Sequence, residues 1–269
     1  MTSTLGLAAI TLGVEVTVLA VTAVWSRLAG RVSVVDVAWG LGFVAVALTS
    51  AVLGDGNEIR RWMLAGLVTI WGGRLAWHIH RRTRLSPNGP QEDPRYAAML
   101  GDPSTGSGRA ALNVVRKVFA PQGLALWFVS LPLVVAATSD VPGWGWPVVW
   151  VGVVVWLTGL VFESVGDAQL AAYRRDPDRG PVMDRGLWAW TRHPNYFGDA
   201  CVWWGIWLVG GLASGLWWGL LTMAAPAAMT YFLVFATGGR LLERTMMKRP
   251  GYREYAVRTS MFLPLPPRR

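Results

Sequence analysis

Seven blocks of about 20 apolar residues, almost free of charge, constrain this chain more than any other feature, because a helix of that length spans the roughly 30 Å hydrocarbon core of a bilayer. They run over 4–25, 33–54, 61–79, 118–138, 144–165, 198–214 and 216–236. Their apolarity is continuous rather than alternating, so they read as helices and not as barrel strands. Only 15% of the 269 residues are charged and 53% are hydrophobic, against roughly 25% charged in an ordinary globular domain. The expected fold is all-α: a polytopic integral membrane protein with about seven transmembrane helices forming one membrane-embedded domain over 1–269. The N-terminal MTSTLGLAAITLG lacks a basic n-region and a small-residue cleavage site, so the first run is expected to be retained.

The basic residues supply an orientation. With seven spans, the segments after spans one, three, five and seven hold 22 of the 25 Lys and Arg, while Arg60 and Arg61 lie on the other side and Arg74 falls inside span three. Cytoplasmic connections carry the excess of Lys and Arg, so the expectation is N-out and C-in. Loops 80–117 and 166–197 and the tail from 237 onward then share the cytoplasmic face. The net charge of +9 reflects this topology; no nucleic-acid motif is present and no nucleic-acid partner is expected. The single cysteine, Cys201, excludes an intrachain disulfide and a CxxC redox pair, and no metal site is expected.

Six ionisable residues stand at membrane depth, where each costs a few kcal/mol unless it faces a bundle interior: Glu15, Asp36, Arg74, Glu163, Asp167 and Asp199. Glu163 and Asp167 share one helix face, where two like charges repel unless a cation or hydrogen-bond donor lies between them, or simply reach water at a helix end. Arg74 lies about two turns before Arg81, and pairing with Glu15 or Asp36 to hold helices together is its structural alternative.

The most informative stretch is RGLWAWTRHPNYFGDA, Arg185 to Ala200. Pro194 suits the first turn of a helix, whose exposed amides attract phosphate or carboxylate. Arg192 and His193 add positive charge beside it, and Asn195 and Asp199 share one helical face. An amide and a carboxylate bind ribose hydroxyls or a carboxamide, and arginines clamp a pyrophosphate. The bland alternative is a positive-inside loop before a proline-started helix.

R-H-P-N-Y-x-G-D, followed by a tail of the form LLE…M…RPGYREY…T..FLPLPP, resembles the C-terminal part of the steroid 5-alpha-reductase superfamily. The uncharacterised bacterial branch of that superfamily also shows D-x-x-W-G, here Asp36 to Gly40, and E-D-P-R-Y, here Glu92 to Tyr96. The resemblance is specific from about Glu163 to Pro267 and is shared more weakly by sterol reductases and isoprenylcysteine carboxyl methyltransferases.

The resemblance implies an enzyme that holds NADPH on its cytoplasmic side and reduces a carbon–carbon double bond conjugated to a carbonyl in a steroid-like or other lipid. Helices in 1–140 would form the substrate cavity and 144–269 the cofactor-binding part. Asn195, Asp199, Asp167 and Arg174 match cofactor-binding positions, and Glu163, Arg185, Arg192, His193, Tyr196, Arg240, Glu243 and Tyr252 complete the expected cofactor set. Asp36 stands for the family's second-helix Glu; His78 is the nearest polar replacement for its third-helix Tyr, a departure that puts a steroid substrate in doubt. Asp36 or His78 would donate to the carbonyl oxygen as negative charge develops there, with Arg74 balancing the charge. Besides its lipid substrate and the surrounding membrane lipids, no obligate protein partner is expected. The runner-up is a membrane methyltransferase using S-adenosylmethionine, disfavoured by the five arginines between Arg174 and Arg192 and by a single Glu243 where that family tends to have a pair. A transporter or lipid-binding scaffold is a third reading, but the sequence has no two corresponding halves.

Overall fold

A computed structural model describes residues 3–85, 91–100, 108–236 and 238–268. Parts of the expected cytoplasmic loop 80–117, and Arg269, therefore lie outside the described residues, as does the side chain of Arg109. The described residues are helical and contain no strand; Thr191 and Ser260 form one isolated parallel bridge. The chain divides into two compact units, Met1–Val141 and Pro142–Arg269.

In the first unit, α1 (Thr4–Ala29) starts where the Ser3 hydroxyl accepts from Gly6 N at 3.0 Å and ends at Gly30, whose φ of 66° is the left-handed conformation of a helix stop. A short 3₁₀ turn leads into α2 (Val35–Leu53). Asn57 caps α3 (Glu58–Arg84), which has Glu58 in its first turn and Arg81, Arg82 and Arg84 in its last, each charge favouring its end of the helix dipole. Helices α2 and α3 pack through glycines: a methyl on Gly40 would sit 2.3 Å from the Gly72 carbonyl oxygen. Short helices α4 (Pro94–Leu100) and α5 (Gly108–Val114) precede a π-helical turn at Val115–Phe119, then α6 (Ala120–Val129) and α7 (Leu131–Ala137). The α5–α6 rod meets α7 at a 41° bend beside Pro132, whose missing N–H and ring disrupt the helical ladder. Arg60, outside the expected cytoplasmic set, is buried and donates to the carbonyls of Ala136 (3.0 Å) and Ser139 (2.6 Å), so it caps the end of α7.

In the second unit, α8 (Gly145–Arg175) packs along α9 (Pro194–Gly210). Their contact is built on glycine. Methyls on Gly159 and Gly198 would each sit 2.5 Å from the other residue's carbonyl oxygen, and Gly152 and Gly205 face each other similarly at 2.8 and 2.7 Å. Small residues let the backbones approach closely, which is how membrane helices associate without a hydrophobic driving force. Helices α10 (Leu216–Thr222) and α11 (Ala224–Tyr231) and a π-helical turn at Phe232–Ala236 follow, then α12 (Gly239–Met246) and α13 (Tyr252–Arg258).

Each of the seven apolar runs falls on helix. Four helical stretches are long and apolar enough to cross a membrane, Thr4–Ala29, Val32–Leu53, Gly145–Arg175 and Leu216–Met246, or five if the bent pair ending at Ala137 counts as one. Of the others, α3 carries charge at both ends and Arg74 within, and α9 has only 17 residues.

Candidate functional site

The second unit assembles one polar site where α8, the start of α9 and the tail meet. Pro194 occupies the first turn of α9, and His193 before it lies outside the helical region (φ −137°, ψ 62°), which proline disfavours for the residue preceding it. The space at Gly166 on α8 admits this turn: a methyl there would lie 3.2 Å from Pro194 and 3.4 Å from Asn195 N. Asn195 thereby comes beside Asp167, and its amide nitrogen donates to Asp167 Oδ1 at 3.3 Å while its Oδ1 accepts from Tyr196 N at 3.1 Å. Asp199 lies one turn further along α9, and Glu163, buried, one turn earlier on α8 beside Gly198. The four residues paired by spacing in the sequence thus occupy one helix–helix junction.

Arg192 and His193 face inward. Arg192, 9% exposed, makes a bidentate pair with Glu243 of α12, Nε to Oε1 at 2.6 Å and Nη2 to Oε2 at 3.0 Å. Its Nη1 donates to the carbonyls of Ala256 (2.6 Å) and Thr259 (3.0 Å). His193 Nε2 is 3.1 Å from Glu243 Oε1, and its ring stacks on Tyr196 with centroids 5.4 Å apart. All three guanidinium nitrogens are therefore occupied by the protein. This clasp holds the tail, which adds backbone bonds from Arg192 N to Ser260 O (2.9 Å) and Leu265 N to Trp190 O (3.0 Å). Tyr255 donates to Trp188 O at 2.6 Å, and Trp188 donates to Gly166 O at 3.0 Å, so tail, loop and α8 are linked in one chain of bonds. Tyr252 is buried and hydrogen-bonds Glu243; burial, with the Glu243 charge behind it, pushes its phenol up to about 12.

Among the arginines, Arg174, Arg185 and Arg240 are exposed. Arg240 lies over the Phe235 ring at 4.4 Å. Arg185 lines an open cavity of about 350 Å³ between the α8–α9 loop and α13, together with Arg179, Arg258, Tyr173, Asp184 and Glu254. Arg258 pairs with Asp184 at 3.5 Å, and Arg179 donates to the Arg174 carbonyl at 2.7 Å.

The matching region spans residues 22–259, and its description is "Protein of unknown function (DUF1295)". This chain belongs to the DUF1295 family. An uncharacterized protein of Schizosaccharomyces pombe (strain 972 / ATCC 24843) is 24% identical over 276 residues, 90% of this chain and 74% of that protein. No solved structure matches significantly.

The first unit of this DUF1295 protein holds a second polar cluster. Asp36, at the start of α2, accepts from Tyr96 Oη at 2.5 Å and pairs with Arg95 at 3.2 Å. Tyr96 accepts from Gln122 Nε2 at 3.1 Å, and Gln122 Oε1 accepts from the Trp39 indole at 2.5 Å. The Tyr96 ring is buried with Val35, Val118 and Phe119, and this burial and the adjacent Asp36 raise its phenol well above the usual range. Asp93 is held below its usual value: burial pushes it up, but hydrogen bonds and charge from Arg95 outweigh that. Glu92 accepts from the amides of Val32 and Ser33, tying this loop to the turn before α2. Arg74 and His78 share one face of α3 and are both partly buried. In the sequence Glu92 to Tyr96 stands out as a motif without marking what its members do, and Gln122 carries no signal of its own. The usable signal was the co-occurrence of the acidic-aromatic loop with Asp36, since a carboxyl near a membrane surface needs donors.

Proposed function

We propose that this DUF1295 protein is an NADPH-dependent membrane reductase of the steroid 5-alpha-reductase type, with seven spans, N-out and C-in, acting on a carbon–carbon double bond conjugated to a carbonyl in a lipid substrate. The observation that carries the reading is the junction of Asn195 and Asp167 at the first turn of α9, beneath a tail clasped by Arg192 and Glu243. The residues present fit a nicotinamide nucleotide. Asn195 and Asp199 are partly exposed on one face, the first-turn amides of α9 favour an anion, and Arg174 and Arg185 are exposed cations in the same unit. A nicotinamide cofactor held there would supply the hydride chemistry, delivered to the carbon beta to the carbonyl. Asp167 orients the Asn195 carboxamide, while Arg192, His193 and Glu243 keep the tail and the α8–α9 loop in place without spending donors on a ligand. In the first unit, Arg95 and Tyr96 fix the Asp36 carboxylate, so Asp36 acts in this reading as an anchor that aims the Tyr96 phenol.

The test is equilibrium binding of NADPH and of S-adenosylmethionine to the purified protein. NADPH should bind, and Asn195→Ala and Asp199→Ala should each weaken it by more than about tenfold, or about 1.4 kcal/mol. Preferential binding of S-adenosylmethionine would replace the reductase with a methyltransferase, and unchanged NADPH affinity in both variants would move the pocket elsewhere.

A further inference from the structure

The reductase reading leaves one buried acid unused. Glu15, on α1, is 1% exposed, and neither of its carboxyl oxygens has a hydrogen-bond partner among the described residues. Burying a carboxyl without a partner costs several kcal/mol in an apolar setting, so such a group calls for an explanation. The side chain occupies a notch between three helices: a methyl on Gly42 of α2 would sit 2.9 Å from its Oε2, and one on Gly123 of α6 would sit 3.9 Å from its Cγ.

The notch adjoins a narrow cleft in which Trp39 and Gln122 are the other polar lining residues and Leu19, Val35, Ala38 and Leu126 form apolar walls. In this conformation the cleft is closed to anything as large as a water, so the partner that Glu15 lacks enters only when the surrounding helices part. Two donors face it. Gln122 gives one amide hydrogen to Tyr96 and takes the Trp39 N–H on its oxygen, which leaves its second amide hydrogen to spend. Glu15, as the carboxylic acid that an apolar cleft without a cation accommodates at least cost, offers its O–H. Two neutral donors above apolar walls match the two lone pairs of one neutral acceptor oxygen on an apolar body.

We propose that Glu15 and Gln122 form a binding site for the carbonyl oxygen of a lipid-like molecule, which enters from the hydrocarbon as α1 and α6 part. The site deepens the reductase reading by assigning the group that receives the carbonyl, although the binding itself does not depend on NADPH.

The probe is carvone, a cyclic enone, labelled isotopically at its carbonyl carbon, with limonene, the same skeleton without the oxygen, as control. The protein is held in nanodiscs of ether-linked lipids, which carry no ester carbonyls, and infrared difference spectra follow the probe ketone and the protein carboxylic acids. Carvone should give a saturable shift of both bands. Glu15→Leu should abolish the carboxylic-acid shift and weaken saturable carvone binding about tenfold, with limonene unchanged and the thermal unfolding midpoint not lowered. Glu15→Gln, which keeps a donor, should retain most of the binding. In ester-lipid nanodiscs a Glu15 band already shifted without carvone assigns the site to a bilayer lipid, and a shift only with carvone assigns it to a free ketone; either supports the carbonyl site. Equal carvone binding by wild type and Glu15→Leu, or no preference for carvone over limonene, overturns it. NADPH affinity on the same preparation tests the cofactor separately, so the two failures are distinguishable.

Discussion

Breaking the Arg192–Glu243 clasp from one side should be costly, and more so from the arginine side. Both side chains are 10% exposed, so water screens the pair little, and removing one partner of a buried pair costs about 3–5 kcal/mol because the survivor is left uncompensated. Glu243→Leu removes the two bonds from Arg192, the contact with His193 and the bond with Tyr252, but leaves Arg192 its two carbonyl acceptors. Arg192→Met removes the same two bonds and also strips the Ala256 and Thr259 carbonyls of their donor, at about 1–3 kcal/mol for each acceptor that stays buried. The expected order of loss is therefore Arg192→Met above Glu243→Leu. In the double variant no charge is left stranded, so the combined loss should fall short of the sum by about 2 kcal/mol or more. The assay is a double-mutant cycle on thermal unfolding of the detergent-purified protein, with hydrogen exchange read at residues 252–268. Exchange there should rise in both single variants, because the tail's backbone bonds at Ser260 and Leu265 depend on the clasp. Additive losses, or single variants that melt with the wild type, would refute the argument.

Gly198→Ala should destabilise the α8–α9 pair by about 1–3 kcal/mol, since its methyl would meet the Gly159 carbonyl oxygen, which is backbone and cannot swing away; unfolding temperature and NADPH affinity should fall together. Alkaline pH should loosen the tail. The unfolded Tyr252 loses its proton near pH ~10 and the folded one only at about 12, so its contribution is complete below that window and is lost as pH rises through it, measurable as phenolate absorbance coinciding with increased proteolysis of the tail. Reporter fusions at residues 100, 180 and 269 should all signal cytoplasm; one signalling the exterior would remove the seven-span topology.

The sequence by itself determined where helices form and which residues share a helical face. Continuous apolar runs leave backbone polar groups no alternative partner in lipid, so each of the seven runs is helical whatever it packs against. Spacing put Asn195 and Asp199 on one side of α9, and Pro194 marked where that helix starts. How many of these helices are true spans was less legible, because length and apolarity alone single out four or five. The tertiary structure decided which faces meet. Glycines at 152, 159 and 166 look like ordinary membrane-helix composition until α9 lies against them and Asn195 reaches Asp167. Arg192 and His193 read in the sequence as outward cations beside a helix terminus; the fold brings Glu243, some fifty residues away, to meet them and turns them into a clasp. Tyr96 and Asp36, sixty residues apart, meet in the same way. Periodicity is local and survives in any one sequence window, whereas a hydrogen bond across such separations exists only once the chain has closed the loop between its partners.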